Sequence, residues 1–400
     1  MRVTRLQKLA TDESGFSMVF VGLGCMAFVA ASMLAIDVGM LMTARSQAQN
    51  AADAGALAGA TSLAFDDYND RSATGPAVTH AIAASLANKV INGTVSVTPA
   101  DIVFLNDPTG EPNRVQVTVY RTGARGNPVS TLIAKYFGIN TADISAVATA
   151  EASPANAMTC VKPFTIPDAW VEKNPVTKVF APTDNFERWV KKQGQVVLSN
   201  PADVYEPAYV NNTPPTRNSS YSGYNMESNR GTRLVLRAAS GNQIQPSFYF
   251  SLAMTSDTGG QDYRWNIANC NHSIYHWGDP LIQEPGAMEG PTVQGILELI
   301  ARDPGAYWDT STKTVKNSAF GDRQSPRIFP IPLYDPDYYT YGKETGRVAS
   351  LRVANWIGFF VEYVGPGSEI NGRIIPIGGI RDKTWSGGTA DMPKAIRLVQ

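Results

Sequence analysis

Apolar residues gather at the start of the chain. From Gly15 to Ile36 no side chain is charged, and the run reads Gly-Phe-Ser-Met-Val-Phe-Val-Gly-Leu-Gly-Cys-Met-Ala-Phe-Val-Ala-Ala-Ser-Met-Leu-Ala-Ile. As a helix it extends about 33 Å, enough for a hydrocarbon core of about 30 Å. Arg2, Arg5 and Lys8 precede it, and no comparable basic cluster follows closely. The positive-inside rule then puts residues 1–14 in the cytoplasm and everything after Asp37 across the membrane. The competing reading is a cleaved signal peptide, with Ala31 and Ala35 offering cleavage sites. Against it, the apolar run exceeds the usual signal core of about 7–15 residues, and the helical pattern continues past its end. An uncleaved transmembrane helix over residues 15–36 is the expectation, and both readings export the remainder.

Residues 37–64 contain no proline, and small residues recur every fourth position. Ala44, Ala48, Ala52, Ala56 and Ala60 form one narrow ridge, and Ala27, Ala31, Ala35 and Gly39 form another inside the apolar run. Alanine's helix propensity lets such a segment stay helical after leaving a bilayer. Its small side chains admit a second helix at close range, either from another copy of the chain or from the chain's own fold. The ridge alone does not choose between self-association and internal packing.

Asp37-Val38-Gly39, then Arg45-Ser46-Gln47-Ala48-Gln49-Asn50-Ala51-Ala52-Asp53-Ala54-Gly55-Ala56-Leu57-Ala58-Gly59-Ala60, follow an anchor opened by Glu13-Ser14-Gly15. Over about residues 13–64 this pattern closely resembles the N-terminal segment of the TadE/TadG-like proteins of tight-adherence (Flp-type) pilus assembly systems. The resemblance implies a bacterial inner-membrane protein with a periplasmic body that works with pilus-assembly or pilin-like partners. Two features of relatives are missing. Pilin-like members are cut after a glycine and carry glutamate five residues later, where this chain has Phe20 after Gly15-Phe16. Larger members carry an Asp-x-Ser-x-Ser metal motif, whereas Asp309-Thr310-Ser311-Thr312-Lys313 ends in lysine and lacks a preceding apolar strand.

Beyond residue 64 the periodicity changes. Asp66-Asp67-Tyr68-Asn69-Asp70 is a polar break without the glycine and distal glutamate of a calcium loop. Helical spacing over 77–90 is followed by strand patterns at 95–98 and 115–120, a short helix over 129–137 and a strand at 144–150. These elements form a small α+β segment, 65–153, packed on the stalk. His80 stands alone among apolar and small residues of the first helix and reads as a surface or satisfied histidine.

Composition then shifts. All seven tryptophans, thirteen of sixteen tyrosines and twenty-one of twenty-six prolines lie from Pro154 onward, marking a second unit, 154–400. Its prolines exclude long helices, and runs at 233–237, 247–252 and 356–364 read as strands, the last covered on both faces. One helix is expected at 292–301, ended by Asp303-Pro304-Gly305. The fold class is therefore α+β: a membrane and stalk helix, a small α+β segment and a mostly β C-terminal domain.

Charge and chemistry narrow the function. Thirty-four basic against thirty-five acidic residues give a net charge of −1, which argues against a nucleic-acid partner. Cys160 and Cys270 are an even pair in the exported part, while Cys25 lies in the anchor. Joined, the pair stabilises the fold by about 4–5 kcal/mol on the chain-entropy model; the alternative is two buried thiols. Cys270-Asn271-His272-Ser273-Ile274-Tyr275-His276, with Glu284 and Glu289 downstream, offers His-x3-His as a zinc pair. No glutamate stands between the histidines, and Gly278-Asp279-Pro280 cuts off a helix there. No Gly-x-Ser-x-Gly and no Gly-Lys-Ser/Thr phosphate loop occurs. Tyr334-Asp335-Pro336-Asp337-Tyr338-Tyr339-Thr340-Tyr341 reads as a carbohydrate- or protein-facing loop or as a packed turn. The leading expectation is a non-enzymatic assembly component without catalytic residues, metal or cofactor. An anchored metal-dependent hydrolase using His272 and His276, and an envelope adhesin or glycan-binding module, are the alternatives.

Overall fold

The computed structural model describes residues 14–108, 110–173, 180–212, 215–239, 243–254, 259–321, 323–345 and 350–399. The expected tail with Arg2, Arg5 and Lys8 lies outside them. Apolar run and stalk are one helix, α1 (Ser14–Phe65), 52 residues long. Its two halves meet different surroundings. The described side chains of residues 17–36 are all exposed, and burial starts at Asp37 and recurs along the alanine ridge. Backbone hydrogen bonding continues across this change because nothing between the halves breaks a helix.

α2 (Pro76–Ala87) begins with proline at its first turn and lies against α1. Behind α1 stands an antiparallel sheet containing β1 (Ile102–Leu105), β2 (Arg114–Arg121) and β3 (Ile144–Pro154). Val115, Val117 and Val119 of β2 point alternately into the core beside Ala146, Ala148, Ala150 and Ala152 of β3. Two expected elements differ. The strand at 95–98 is reduced to a single bridge, Ser96 to Tyr120. Pro99 opens a 3₁₀ turn there, and Asp101 reaches back to the Thr98 amide and hydroxyl. The helix over 129–137 is absent as well. Val129–Ser130 pairs with Thr141–Ala142, and only Ala134–Phe137 makes a 3₁₀ turn, ended by Gly138 at φ 88°.

The chain then builds a closed six-stranded barrel from β4 (Phe164–Pro167), β5 (Arg233–Ala238), β6 (Phe248–Ser251), β7 (Ile328–Tyr334), β8 (Leu351–Val364) and β9 (Ile370–Ile375). Around the ring the order is β8, β7, β4, β6, β5, β9 and back to β8. β4–β7 and β5–β6 pair in parallel, and the other neighbours are antiparallel. Closure removes sheet edges. Alternate residues such as Ile166, Leu236, Tyr249, Ile331, Phe359 and Ile374 converge in one core. β8 is buried on both faces over most of its length, as its weak alternation predicts. Helices α3 (Gly260–Ala268) and α4 (Glu289–Arg302) pack together on that core. The second matches the expected helix, while the first and α5 (Pro336–Glu344) were not legible as helices.

The last strand, β10 (Lys394–Val399), leaves the barrel and pairs antiparallel with β3. The first sheet therefore has the order β10, β3, β2, β1, and the barrel is inserted between two of its neighbouring strands. Residues 394–399 thus lie in the sheet of the N-terminal layer rather than in the body that was expected to extend over 154–400. Glu151 fastens the three strands. It is buried and accepts from Arg114 Nε of β2 at 2.9 Å and Arg397 Nη2 of β10 at 3.3 Å. The polar break also joins the two parts: Asp66 pairs with Arg323, and its carbonyl accepts from Arg230.

Candidate functional site

The alanine ridge has a partner inside the chain. Ala44, Ala48, Ala52, Ala56 and Ala60 are 0–1% exposed and share one core with α2, β2 and β3. Gly55 and Gly59 on the same helix set the spacing. A Cβ on Gly59 would lie 2.8 Å from Val115 Cγ1 and 3.2 Å from the Ala77 carbonyl. One on Gly55 would lie 3.0 Å from the Ala81 carbonyl. Small residues here let α1 sit between helix and sheet at backbone-contact range. Of the two uses open to the ridge, the structure takes internal packing, which leaves no ridge surface for a second copy. The apolar half differs: Gly22, Gly24 and Gly39 have no neighbour within 4 Å of a built Cβ.

Where the exposed half ends, Asp37 is buried and accepts the backbone amides of Leu132 (2.8 Å), Ile133 (3.1 Å) and Ala134 (2.5 Å). Burial pushes its carboxyl up, but the Ala134, Leu132 and Ile133 amides with nearby Lys135 outweigh this and hold it below the usual range. In the sequence Asp37 marks the end of the span and opens the Asp37-Val38-Gly39 motif. Its partners lie 95–97 residues away, and no local pattern points to them.

Cys160 and Cys270 form a disulfide. His272 is exposed with Nδ1 3.6 Å from Cys270 Sγ, and these three residues are the metal-type grouping found among the described residues. Two of its three sulfur or nitrogen ligands are committed to the disulfide bond, so the group does not fit a metal. His276 is engaged elsewhere. It stacks on Trp385 (centroids 4.4 Å, interplanar angle 20°), and Nε2 lies 3.0 Å from Asp382 Oδ2. His-x3-His does not form one helical face, because Tyr275–His276 is a strand paired with Ala157–Met158. Glu284 is buried and receives the Gly259 amide, and Glu289 starts α4. Asp309 is folded onto its own turn. Ser311 and Thr312 hydroxyls bond its carboxylate, with the Ser311 amide, and lower its pKa to about 2. His80 contacts Ser62 Oγ at 2.5 Å and Asp66 at 3.4 Å.

A cleft of about 510 Å³ opens between the stalk layer and the barrel, lined among others by Tyr68, Glu111, Tyr221, Glu227, Asp391 and Lys394. Behind Tyr221 lies fully buried Asp168. Its Oδ1 accepts the Ala169 and Tyr224 amides at 2.9 Å, and Oδ2 faces the hydroxyls of Tyr221 (2.9 Å) and Tyr205 (3.1 Å). Burial raises the Asp168 pKa to about 7 despite these bonds. The geometry accommodates the protonated acid, because the Tyr221 hydroxyl can then accept from it and donate its own hydrogen bond to the Tyr224 carbonyl 3.0 Å away. The aromatic stretch 334–341 is not a loop. Tyr334 is buried at the end of β7, Asp335 caps α5, and Arg352 lies over the Tyr338 ring at 4.0 Å. Ser62 Oγ and Asp66 both approach the same ring nitrogen of His80, Nδ1, so that trio lacks the relay in which a base takes a proton on one nitrogen and is oriented through the other. Among the described residues no phosphate-binding loop is formed. What the structure offers is a rigid body on an apolar helix.

Residues 15–62 match the family model described as "Putative Flp pilus-assembly TadE/G-like". No curated protein and no solved structure matches the chain.

Proposed function

We propose that this protein is a single-span structural component of a Flp-type pilus assembly system, anchored in the inner membrane by residues 15–36 with its body in the periplasm. The observation that supports this best is that the matched stretch, 15–62, coincides with α1. Its exposed apolar half has the length and composition of a membrane span. Its second half is the central helix of the N-terminal layer. Anchor and body thus share one rigid element, which suits a component that holds position at the membrane while pilin-like or other assembly partners engage its body. In this reading residues 1–14 form the cytoplasmic tail, and no chemistry is assigned to the body, since His272 and His276 take separate partners.

Deleting the gene in its host and counting surface pili by electron microscopy tests the role. Pili are expected to be lost, and restored by the whole chain but not by one lacking residues 15–36. Unchanged piliation in the deletion strain would overturn the proposal.

A further inference from the structure

The excursion between Val129–Ser130 and Thr141–Ala142 is a compact finger. Thr131 closes its neck, with its amide donating to the Asn140 carbonyl at 3.1 Å and its hydroxyl to the Ile139 carbonyl at 2.5 Å. The 3₁₀ turn Ala134–Phe137 forms the tip. Four large apolar side chains face outward from eight residues: Leu132 is 51% exposed, Tyr136 79%, Phe137 69% and Ile139 59%. A patch this dense on a soluble surface marks a contact with something apolar. The finger's position says what. Asp37 grips its backbone at residues 132–134, and Asp37 is the first charged residue after the uncharged run 15–36. One helical residue rises about 1.5 Å, so this grip lies within about one helical turn of the end of the hydrocarbon-length segment.

We propose that residues 131–140 are a second membrane contact, with Leu132, Tyr136, Phe137 and Ile139 seated in the interfacial layer of the leaflet beside the body and Asp37 setting their depth. This rests on the reading of residues 15–36 as a membrane span. The side-chain chemistry suits a lipid surface. Tyrosine rings favour the zone between headgroups and acyl chains, and phenylalanine and leucine are the apolar residues that interfacial segments bury at that boundary. Lys135 is exposed with its ammonium 5.3 Å from the Tyr136 ring centre, and a lysine stem can lie along apolar surface while its charge meets phosphate. Two attachments, one spanning and one interfacial, fix the body's tilt where a lone helix leaves it free to rotate.

Spin-label accessibility tests the contact. The full chain carrying Cys25→Ala, with its native disulfide intact, is labelled singly at Phe137→Cys, Phe28→Cys or Lys192→Cys and reconstituted in phosphatidylcholine/phosphatidylglycerol vesicles. Lys192 lies exposed on the Trp189–Lys192 hairpin strand, and Phe28 lies on the exposed face of the span. The ratio of oxygen to nickel-chelate accessibility rises with depth in lipid. Position 137 is expected to exceed position 192 several-fold and to approach position 28. A ratio at 137 equal to that at 192, with 28 still high, would overturn the finger contact alone. So would low accessibility to both probes at 137, the signature of a protein neighbour such as a second copy. A water-like ratio at position 28 would instead overturn the span.

Discussion

Two buried residues make stability depend on pH in opposite directions. Asp168 titrates at about 7 in the folded protein against 3.8 for an exposed carboxyl. Between these values the folded state holds the proton more tightly, so stability is full below about pH 4 and falls as pH rises through 7. A shift of this size is on the order of 4 kcal/mol. Lys162 is lowered from 10.5 to about 7, first by burial and then by Arg302, although its ammonium reaches the Asn269 carbonyl at 2.8 Å. Its contribution is present above 10.5 and is lost as pH falls through 7. Thermal unfolding of the detergent-solubilised chain should show least stability near neutrality. Asp168→Asn should remove the acid-side gain and Lys162→Met the alkaline-side gain; variant curves parallel to wild type would refute the assignment. Neither residue was legible in the sequence. Asp168 follows Ile166-Pro167 and looks like turn material, and its tyrosine partners come from residues 37 and 53 positions downstream. Cys160 and Cys270 were legible as a pair, because they are the two cysteines outside the apolar run, and the fold brings their Cα atoms to 4.4 Å. The histidine spacing misled in one respect and warned in another: Gly278-Asp279-Pro280 does prevent the helix that would align the two rings.

At the scale of elements, a four-residue repeat shows that a helix needs a close neighbour without saying which one. Ala48, Ala52 and Ala56 face α2 and the sheet, so leucine at any of them overfills a packed core. Each substitution should destabilise the protein by about 1–3 kcal/mol, read as a lowered urea midpoint, with Ala27→Leu on the exposed half of α1 as a near-neutral comparison. Wild-type stability with altered crosslinking would instead point to association between copies. Strands with strict alternation were readable, as β2 demonstrates. The short segments failed where backbone chemistry outranked periodicity. Pro99 and Asp101 turned one expected strand into a bridge, and Gly138 with the Thr131 bonds turned an expected helix into the finger. β10 could not be assigned to the first sheet from its own residues, since its partner β3 precedes it by about 240 positions and the tie, Glu151 between two arginines, is a tertiary feature.

Across the whole molecule, the change of composition at Pro154 reflects a real change of architecture from alanine-rich layer to aromatic barrel. Closure of that barrel was beyond reach, because it depends on β8 pairing with both β7 and β9 and on two parallel contacts, of which the one between β4 and β7 joins segments far apart in the chain, such as Ile166 and Leu333. The helix that begins exposed and ends as a core element gives the protein its organisation, and its orientation in a membrane decides what the body can meet. That orientation is measured most directly with a membrane-impermeant maleimide on spheroplasts. In a Cys25→Ala background the native disulfide stays unreactive, and cysteines are introduced one at a time at Lys8 and Lys192. Labelling of position 192 in intact spheroplasts, with position 8 labelled only after lysis, is the predicted result. Labelling of position 8 with protection of position 192 until lysis would contradict it.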